Sequence, residues 1–304
     1  MTILSSIIHL FLTLILSPLL IGIINRTKAL FAGRKGQPLL QPYYDLIKLM
    51  KKGSVYSTTS TWVFRLGPVM GLSAVMISIL IVPSGGVGGL LSFSGDFVFM
   101  AYALGLTRFV TVLAAMDTGS PFEGMGASRE VQFAIIAEVV LLLGLAVLAI
   151  GTHEINLSGI YAGLWTKSIS PLGPVSVIVA FAFLTVLLTE NARIPVDDPN
   201  THLELTMIHE VMVLDHGGVD LAFIQYGASL KLWLFSALLV GIAIPLRTGL
   251  PLVDVIVNII GILAIAVLVG IIESCMARLR LLHVPQMLVV ALSVTVAALL
   301  WILR

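Results

Sequence analysis

Charged side chains are scarce in this sequence: they make up 11% of its 304 residues, and the chain holds a single cysteine, Cys275. One cysteine cannot form an internal disulfide, and it cannot supply the thiolates that iron–sulfur clusters and structural zinc sites require. The net charge of +1 lacks the strong positive balance that is typical of nucleic-acid-binding proteins. The sequence therefore predicts no metal site, no cofactor in this chain and no nucleic-acid partner.

Hydrophobic residues take the place of charge, at 58% of the chain and a mean hydropathy of +1.08. Apolar windows near the length that crosses a bilayer as a helix recur eight times. They are residues 3–24, 63–82, 98–116, 133–150, 174–189, 230–244, 253–272 and 286–303. Because lipid offers no hydrogen bonds to the backbone, such segments must be helices. We expect an all-α integral membrane protein, a bundle of eight transmembrane helices in a single membrane domain, 1–304.

Basic residues are distributed unevenly between the connections, and this predicts the orientation. Twelve of the seventeen Lys and Arg residues fall on one set of alternate connections. The positive-inside rule places that set in the cytoplasm and both termini outside it. The predicted cytoplasmic loops are about 25–66, 117–132, 190–230 and 273–285. The predicted location is the prokaryotic cytoplasmic membrane.

A polar stretch, 190–231, interrupts two apolar runs and holds seven of the sixteen carboxylates and three of the six histidines. An acidic segment on the basic side of a membrane protein indicates a functional site or a docking surface. His202, His209 and His216 recur every seven residues, which on a helix would form one stripe. Metal sites on helices favour spacings of three or four, so an interfacial stripe explains the pattern better than zinc does.

Three carboxylates lie within or at the ends of apolar windows: Glu138, Glu190 and Glu273. An ionised side chain in a bilayer costs about 2.5 to 3.5 kcal/mol on insertion scales, so such residues are usually paired or functional. Two interpretations stay open, a proton path and inert ion pairs, and we favour the path. The available cations are Arg108, Arg129, Arg193, Lys231 and Arg278.

The first long connection contains an amphipathic segment, 43–52. Its apolar residues can contact lipid or protein while Lys48, Lys51 and Lys52 face water, which is typical of an interfacial helix. The alternative is a basic loop that only sets the orientation.

Several motifs together resemble one family. They are GRKGQP, LLQPYYDLIKL, MDTGSPFEGMGASRE, ENARIPVDDP, HLELTMIHE and ESCMARLRL. They are similar to the membrane subunit that group 4 nickel-iron hydrogenases share with respiratory complex I. The DTGSPF and GASRE strings resemble the hydrogenase branch, of the formate hydrogenlyase type, more than the quinone-reducing branch.

The resemblance implies partners and cofactors that the chain itself lacks. It implies a soluble module of hydrogenase-like large and small subunits, with a nickel-iron centre and iron–sulfur clusters in those partner subunits. It also implies antiporter-like membrane subunits, reached by a chain of buried carboxylates. Asn200 and His202 stand where many relatives have acids, which is a departure from the quinone-reducing pattern.

The resemblance carries over twelve residues: Arg34, Gln41, Asp45, Lys48, Arg129, Glu130, Glu138, Glu190, Arg193, Pro195, Asp197 and Glu204. Combined with the charges noted above, the predicted proton or ion path consists of Glu138, Glu190, Glu273, Glu130, Asp197, Glu204, Glu210 and Lys231. The predicted docking or charge-pairing residues are Arg34, Gln41, Asp45, Lys48, Arg129, Arg193 and Arg278.

The favoured hypothesis is a membrane-anchoring, ion-coupling subunit of a multi-subunit oxidoreductase, most similar to a membrane-bound hydrogenase or formate hydrogenlyase. It carries no complete active site. The alternatives are a quinone-reducing subunit of the complex I type, a stand-alone cation/proton transporter and a passive anchor. The absence of detectable inverted halves argues against the transporter.

Overall fold

The computed structural model describes residues 2–166, 172–198, 207–245 and 248–304. Within these ranges the chain forms ten α-helices and one 3-10 turn, and no β-strand. The helices are α1 (Thr2–Phe31), α2 (Gln41–Met50), α3 (Trp62–Ile81), α4 (Asp96–Asp117), α5 (Pro121–Thr152), α6 (Leu157–Thr166), α7 (Leu172–Glu190), α8 (Gly218–Ala243), α9 (Pro251–Cys275) and α10 (His283–Leu303). The 3-10 turn is Glu210–Val213.

Eight of these helices are long and apolar enough to cross a membrane, namely α1, α3, α4, α5, α7, α8, α9 and α10. The predicted eight spans are confirmed, and the chain is a multi-pass membrane protein. Helices α2 and α6 have ten residues each, so each is about 15 Å long, half the thickness of a hydrocarbon core. The predicted helix in the first long connection is therefore present as α2.

Helix α8 lies at the centre of the bundle, where it packs against α1, α3, α7 and α9 and also contacts α2. Around it, α3 pairs with α4, and α10 packs on α5 and α7. The middle of α8 is buried on all sides, including Trp233. A charged side chain in the middle of this helix is therefore shielded from lipid and water, and its counter-charge must come from another part of the bundle.

Two helices, α5 and α8, each begin twelve residues earlier than their hydropathy windows predict. Helix α5 starts at Pro121, so the segment predicted as a loop, 117–132, is helical from Pro121 onward. Proline is favoured at a helix start because its missing N–H would have no helical partner there, and Glu123 in the first turn suits the helix dipole. Helix α8 starts at Gly218, well before the window 230–244. The first turns of both helices contain polar residues, which lower the local hydropathy. The bundle covers these residues, so the helices extend through them.

The segment 207–217 does not form the helix that a histidine stripe requires. Its only regular element is the 3-10 turn, with His209 just before it and His216 three residues after it. Gly217 and Gly218 then open α8, and Gly218 adopts a left-handed backbone angle. The predicted stripe is therefore wrong for these two histidines, and His202 lies outside the described residues.

The 3-10 turn packs tightly onto α5 at Gly126. A Cβ atom at that position would lie 2.2 Å from Val211 Cγ1 and 2.8 Å from the Ile208 carbonyl oxygen. Gly124, one half-turn earlier on the same helix, has open space at the corresponding point. The close approach at Gly126 fixes the segment 207–213 against the bundle.

Replacing Gly126 with alanine is expected to destabilise the protein by about 1–3 kcal/mol, because an added methyl group must push this segment away from α5. The matched change Gly124→Ala is expected to be neutral or slightly stabilising, since alanine favours helix over glycine by up to about 1 kcal/mol. The measurement is the thermal unfolding midpoint of the purified protein in detergent. Equal midpoints for the two variants would contradict the packing described above.

Candidate functional site: a buried charge network

Arg108 on α4 lies at the centre of a cluster of carboxylates. Its side chain is 9% exposed. Its Nη2 atom lies 2.6 Å from Glu190 Oε1, and its Nη1 atom lies 2.9 Å from Glu138 Oε1. Its Nε atom is 3.8 Å from Glu130 Oε1. One guanidinium thus joins acids from two other helices, α5 and α7.

Lys231 on α8 completes the cluster. Its Nζ atom lies 2.8 Å from Glu190 Oε2, so each oxygen of Glu190 contacts a different cation. The Glu190 side chain is only 4% exposed. We refer to Arg108, Glu130, Glu138, Glu190 and Lys231 as the charge network.

The charge network has a formal excess of one negative charge when all its members are ionised, because it contains three carboxylates and two cations. Its members differ in exposure. Glu130 and Glu190 are well covered, whereas the side chain of Glu138 is 35% exposed. Burying an uncompensated charge costs free energy. The excess negative charge must therefore be neutralised by a bound proton or stabilised by a hydrogen-bond donor from outside these five residues.

A cavity of about 90 Å³ borders the charge network. Its walls come from α3, α4, α8 and the 3-10 turn, and are apolar along Gly67, Leu72 and Val75. Its polar lining consists mainly of Arg108, Glu130, Glu190, His209, His216 and Lys231. A water needs roughly 10–15 Å³ of such volume and two to four polar partners, so this space accommodates several waters in contact with the charge network.

Two histidines line the same cavity, and both are poor cations at neutral pH. Burial lowers the pKa of His209 to about 4, and the charge of Lys231 adds to this effect. Burial also lowers the pKa of His216, whose ring stacks on Phe64 with centroids 3.9 Å apart and planes 5° apart. No group of three potential metal ligands occurs within the described ranges. His209 is thus an uncharged hydrogen-bonding group beside the network.

Asp197 approaches the charge network from the connection after α7. A second, smaller cavity of about 10 Å³ is lined by Glu130, Glu190 and Asp197, which is space for about one water. Asp197 is almost fully buried. Its Oδ1 atom lies 2.9 Å from Arg278 Nη2, and its Oδ2 atom accepts hydrogen bonds from the backbone N–H groups of Ile208 and His209.

Residues 3–303 of the sequence match a family model described as NADH dehydrogenase. This chain belongs to the NADH dehydrogenase family. The resemblance that the motifs predicted is confirmed, since the match extends over nearly the whole chain.

Two relatives of this chain come from Escherichia coli (strain K12). Hydrogenase-4 component C is 33% identical over 298 residues, which is 95% of this chain and 91% of that protein. Formate hydrogenlyase subunit 4 is 31% identical over 293 residues, 94% of each chain. Both relatives fit the hydrogenase branch that the DTGSPF and GASRE strings indicated.

The fold is also similar to that of a chain in a solved structure of the membrane-bound sulfane sulfur reductase, an archaeal respiratory membrane complex. The TM-score is 0.81 at 19% sequence identity, and the match covers 97% of this chain and 98% of that chain. At this level of identity the likeness shows a shared fold.

Glu273 lies in a different cluster from the charge network. Its Oε2 atom is 2.9 Å from Lys28 Nζ, and its Oε1 atom is 3.5 Å from Arg193 Nη1. Lys28 was not singled out from the sequence, which placed it in the first loop. Helix α1 continues to Phe31, so Lys28 projects from a helix that packs on α9.

The remaining predicted residues that the structure describes lie outside the charge network. Arg129 Nη1 donates a 3.0 Å hydrogen bond to the Met207 carbonyl, which ties α5 to the segment before the 3-10 turn. Gln41 donates a 2.9 Å hydrogen bond to Asp45 within α2. Arg34 and Lys48 are exposed, Glu210 is the first residue of the 3-10 turn, and Glu204 lies outside the described residues.

The largest omission from the sequence-based site is Arg108 as its centre. It appeared only among the available cations, although it stands inside the apolar window 98–116. A basic residue at that depth must be paired, and this signal could have identified it. Its pairing with Glu130, Glu138 and Glu190 could not have been found, because these residues are distant from Arg108 in sequence.

Proposed function

We propose that this chain is the membrane-anchoring and ion-coupling subunit of a multi-subunit oxidoreductase of the hydrogenase or formate hydrogenlyase type. It links a soluble redox module to the translocation of protons or other cations. The relatives named hydrogenase-4 component C and formate hydrogenlyase subunit 4 support the oxidoreductase class. The charge network and its adjoining cavity carry the coupling part of the proposal, because they combine exchangeable protons with space for water.

The proposed path runs from Asp197 through the small cavity to Glu130 and Glu190, and then past Arg108 to Glu138. Each step is short. The small cavity that Asp197 shares with Glu130 and Glu190 has space for about one water, and Arg108 contacts all three carboxylates of the charge network. The excess negative charge lets one proton reside on the network. Arg108 contacts all three carboxylates at once, so the relative strength of its contacts influences which carboxylate holds that proton.

The other predicted path residues are assigned supporting roles. Glu273 would join it through Arg193, which follows Glu190 by three residues. Glu204 and Glu210 would extend it toward the soluble partner. Lys231 would hold Glu190 ionised, opposing its protonation until the charge balance of the network changes.

The redox cofactors belong, in this proposal, to the partner subunits. A nickel-iron centre and iron–sulfur clusters would sit in soluble large and small subunits, and antiporter-like membrane subunits would continue the ion path. The basic connections would face the cytoplasm and both termini would lie outside it. The surface for the soluble module would then include α2 and the segment 207–217.

Reversing the charge of Lys48, Lys51 and Lys52 to glutamate is expected to release the soluble module from the membrane. These three residues are exposed at and just after the end of α2, which comes close to Gly217 and Gly218 at the end of the third connection, so they offer attraction and orientation to a partner. The measurement is the fraction of soluble subunits that sediments with membranes. The matched control replaces the same lysines with arginine, which keeps the charge and should keep the module bound.

The docking claim fails if the glutamate variant holds the module as firmly as the native chain in high salt. It also requires the cytoplasmic orientation. A cysteine introduced at Asp215, an exposed residue of the third connection, must therefore react with a membrane-impermeant reagent only after the cells are opened. Labelling from the periplasmic face of intact cells would refute the orientation.

A further inference from the structure

A pocket at the surface of the bundle has a volume of about 180 Å³ and is lined by Ser57, Ser60, Phe64, Thr118 and Asp215. Ser57 and Asp215 are exposed, so the pocket meets solvent at the end of the bundle that carries the third connection. We call it the surface pocket, and we call the cavity beside the charge network the network cavity. Among the residues that the structure describes, none lines both spaces.

Two stacked rings stand between the surface pocket and the network cavity. Phe64 lines the surface pocket, and His216 lines the network cavity. The ring centroids are 3.9 Å apart and the ring planes differ by 5°, so the rings are in contact and leave no room for water between them. Phe64 is 2% exposed and His216 is 6% exposed. The barrier between the two spaces is therefore two aromatic rings thick at this point.

Stacking alone does not account for a histidine at position 216. The Nδ1 atom of His216 is buried and has no hydrogen-bond partner in the parts of the chain that the structure describes. An unsatisfied buried polar atom costs about 1–3 kcal/mol, and a phenylalanine would stack on Phe64 without that cost. Imidazole differs from phenyl in that it can accept and release a proton near neutral pH. The position therefore suits proton transfer better than it suits packing.

The charges around His216 allow its ring to hold a proton briefly. Burial lowers the pKa of the ring, and the negative charges of Asp220 and Asp215 oppose this shift. Asp215 also lines the surface pocket and directly precedes His216, so it lies on the side from which solvent approaches. On the other side, the network cavity reaches Glu130 and Glu190. The ring is thus neutral at neutral pH, with carboxylates on both sides that favour its transient protonation.

We propose that protons enter the network cavity from the surface pocket, that the ring of Phe64 closes this entrance, and that His216 carries the proton across it. When Phe64 moves aside, His216 takes a proton from water in the surface pocket and becomes an imidazolium. It then releases a proton to water in the network cavity and becomes neutral again. This entrance supplies the charge network independently of Asp197. The inference deepens the proposed function and rests on it, because the carrier needs a coupled flow of protons.

The barrier is tested by the reaction of an introduced thiol in the purified complex. Thr111→Cys places a thiol of similar size in the wall of the network cavity, in a chain whose exposed Cys275 is replaced with serine. Phe64→Ala should speed the reaction of this thiol with a charged, water-soluble reagent by about tenfold or more, because access limits the rate. Phe183→Ala is the matched control, since Phe183 is also 2% exposed and lines neither space. Equal rates for the two alanine variants would overturn the barrier.

The carrier role is tested by the ion uptake of sealed vesicles that contain the complex, divided by the redox turnover. His216→Phe keeps two stacked rings but cannot carry a proton, so the uptake should fall by about a hundredfold. His216→Ala should show a similar loss that imidazole in the medium restores, because the added base occupies the vacated space. Imidazole should not restore His216→Phe, whose ring fills that space. Native uptake in His216→Phe, or a loss in His216→Ala that imidazole leaves unchanged, would overturn the carrier role.

Failure of the carrier role and failure of the proposed function give different results. If the native complex takes up ions and His216→Phe does so equally well, only the carrier role is wrong. If the native complex takes up no ions during turnover, the proposed function itself fails, and the carrier role fails with it. The thiol reaction needs no turnover, so it tests the barrier in either case.

Discussion

Replacing Arg108 with leucine is expected to cost the protein about 3–5 kcal/mol of stability, the range observed when one partner of a buried ion pair is removed. The change leaves Glu130, Glu138 and Glu190 with Lys231 as the only cation of the charge network. Three buried carboxylates sharing one positive charge must take up protons or draw in water, and either response weakens the packing of α4, α5 and α7. The measurement is the thermal unfolding midpoint in detergent, together with the amount of chain in the membrane.

Two control variants distinguish the stability lost with the charge network from the stability lost when any arginine is removed. Arg65→Leu removes an exposed guanidinium that lies 4.5 Å from the centroid of the Tyr56 ring, a contact worth about 0.5–1 kcal/mol. Arg108→Lys keeps the charge but loses the fork that reaches several acids, so its midpoint should fall between that of the native chain and that of Arg108→Leu. Equal midpoints for Arg108→Leu and Arg65→Leu would contradict the central place given to Arg108.

Glu138→Gln is expected to leave an assembled complex that has lost ion translocation coupled to turnover, by about a hundredfold if the residue transfers protons as a general acid–base group does. Glutamine keeps the shape of the side chain and a hydrogen bond from Arg108, but it cannot gain and lose a proton. The measurement is ion uptake by sealed vesicles, divided by the redox turnover recorded in the same sample. Glu154→Gln, an exposed change in the connection after α5, is the matched control.

Each other outcome of the Glu138→Gln experiment selects one of the alternative interpretations. Full coupled uptake would favour the passive anchor, in which the buried charges only pair. Loss of the assembled complex would favour a structural ion pair, because removal of one partner leaves the other charge uncompensated.

The spans could be predicted from the sequence because membrane crossing depends on a local property, the apolar length of a segment. The early starts of α5 and α8 could not, because hydropathy assigns Glu123, Glu130 and Asp220 to water whereas the bundle covers them. The histidine stripe failed for a related reason. It assumed that 207–217 is helical, whereas Asp197 binds the backbone of Ile208 and His209 and holds the segment in an irregular path.

The candidate site was predictable as a set of residues but not as an arrangement. The cost of charge in a bilayer identified Glu138, Glu190 and Glu273 as unusual without any structure. That Arg108 connects Glu138 to Glu190 depends on the packing of α4, α5 and α7. The same packing places Glu273 beside Lys28 instead, although hydropathy gives Glu190 and Glu273 equivalent positions at the ends of their spans.

In the proposed mechanism, a carboxylate of the charge network changes its protonation state when the complex turns over. Redox-induced infrared difference spectroscopy of the intact complex measures this change through the C=O stretch of a protonated carboxyl group. The account predicts a band in that region that shifts in heavy water, is absent from Glu138→Gln and is retained in Glu154→Gln. A difference spectrum of Glu138→Gln identical to that of the native complex would contradict it.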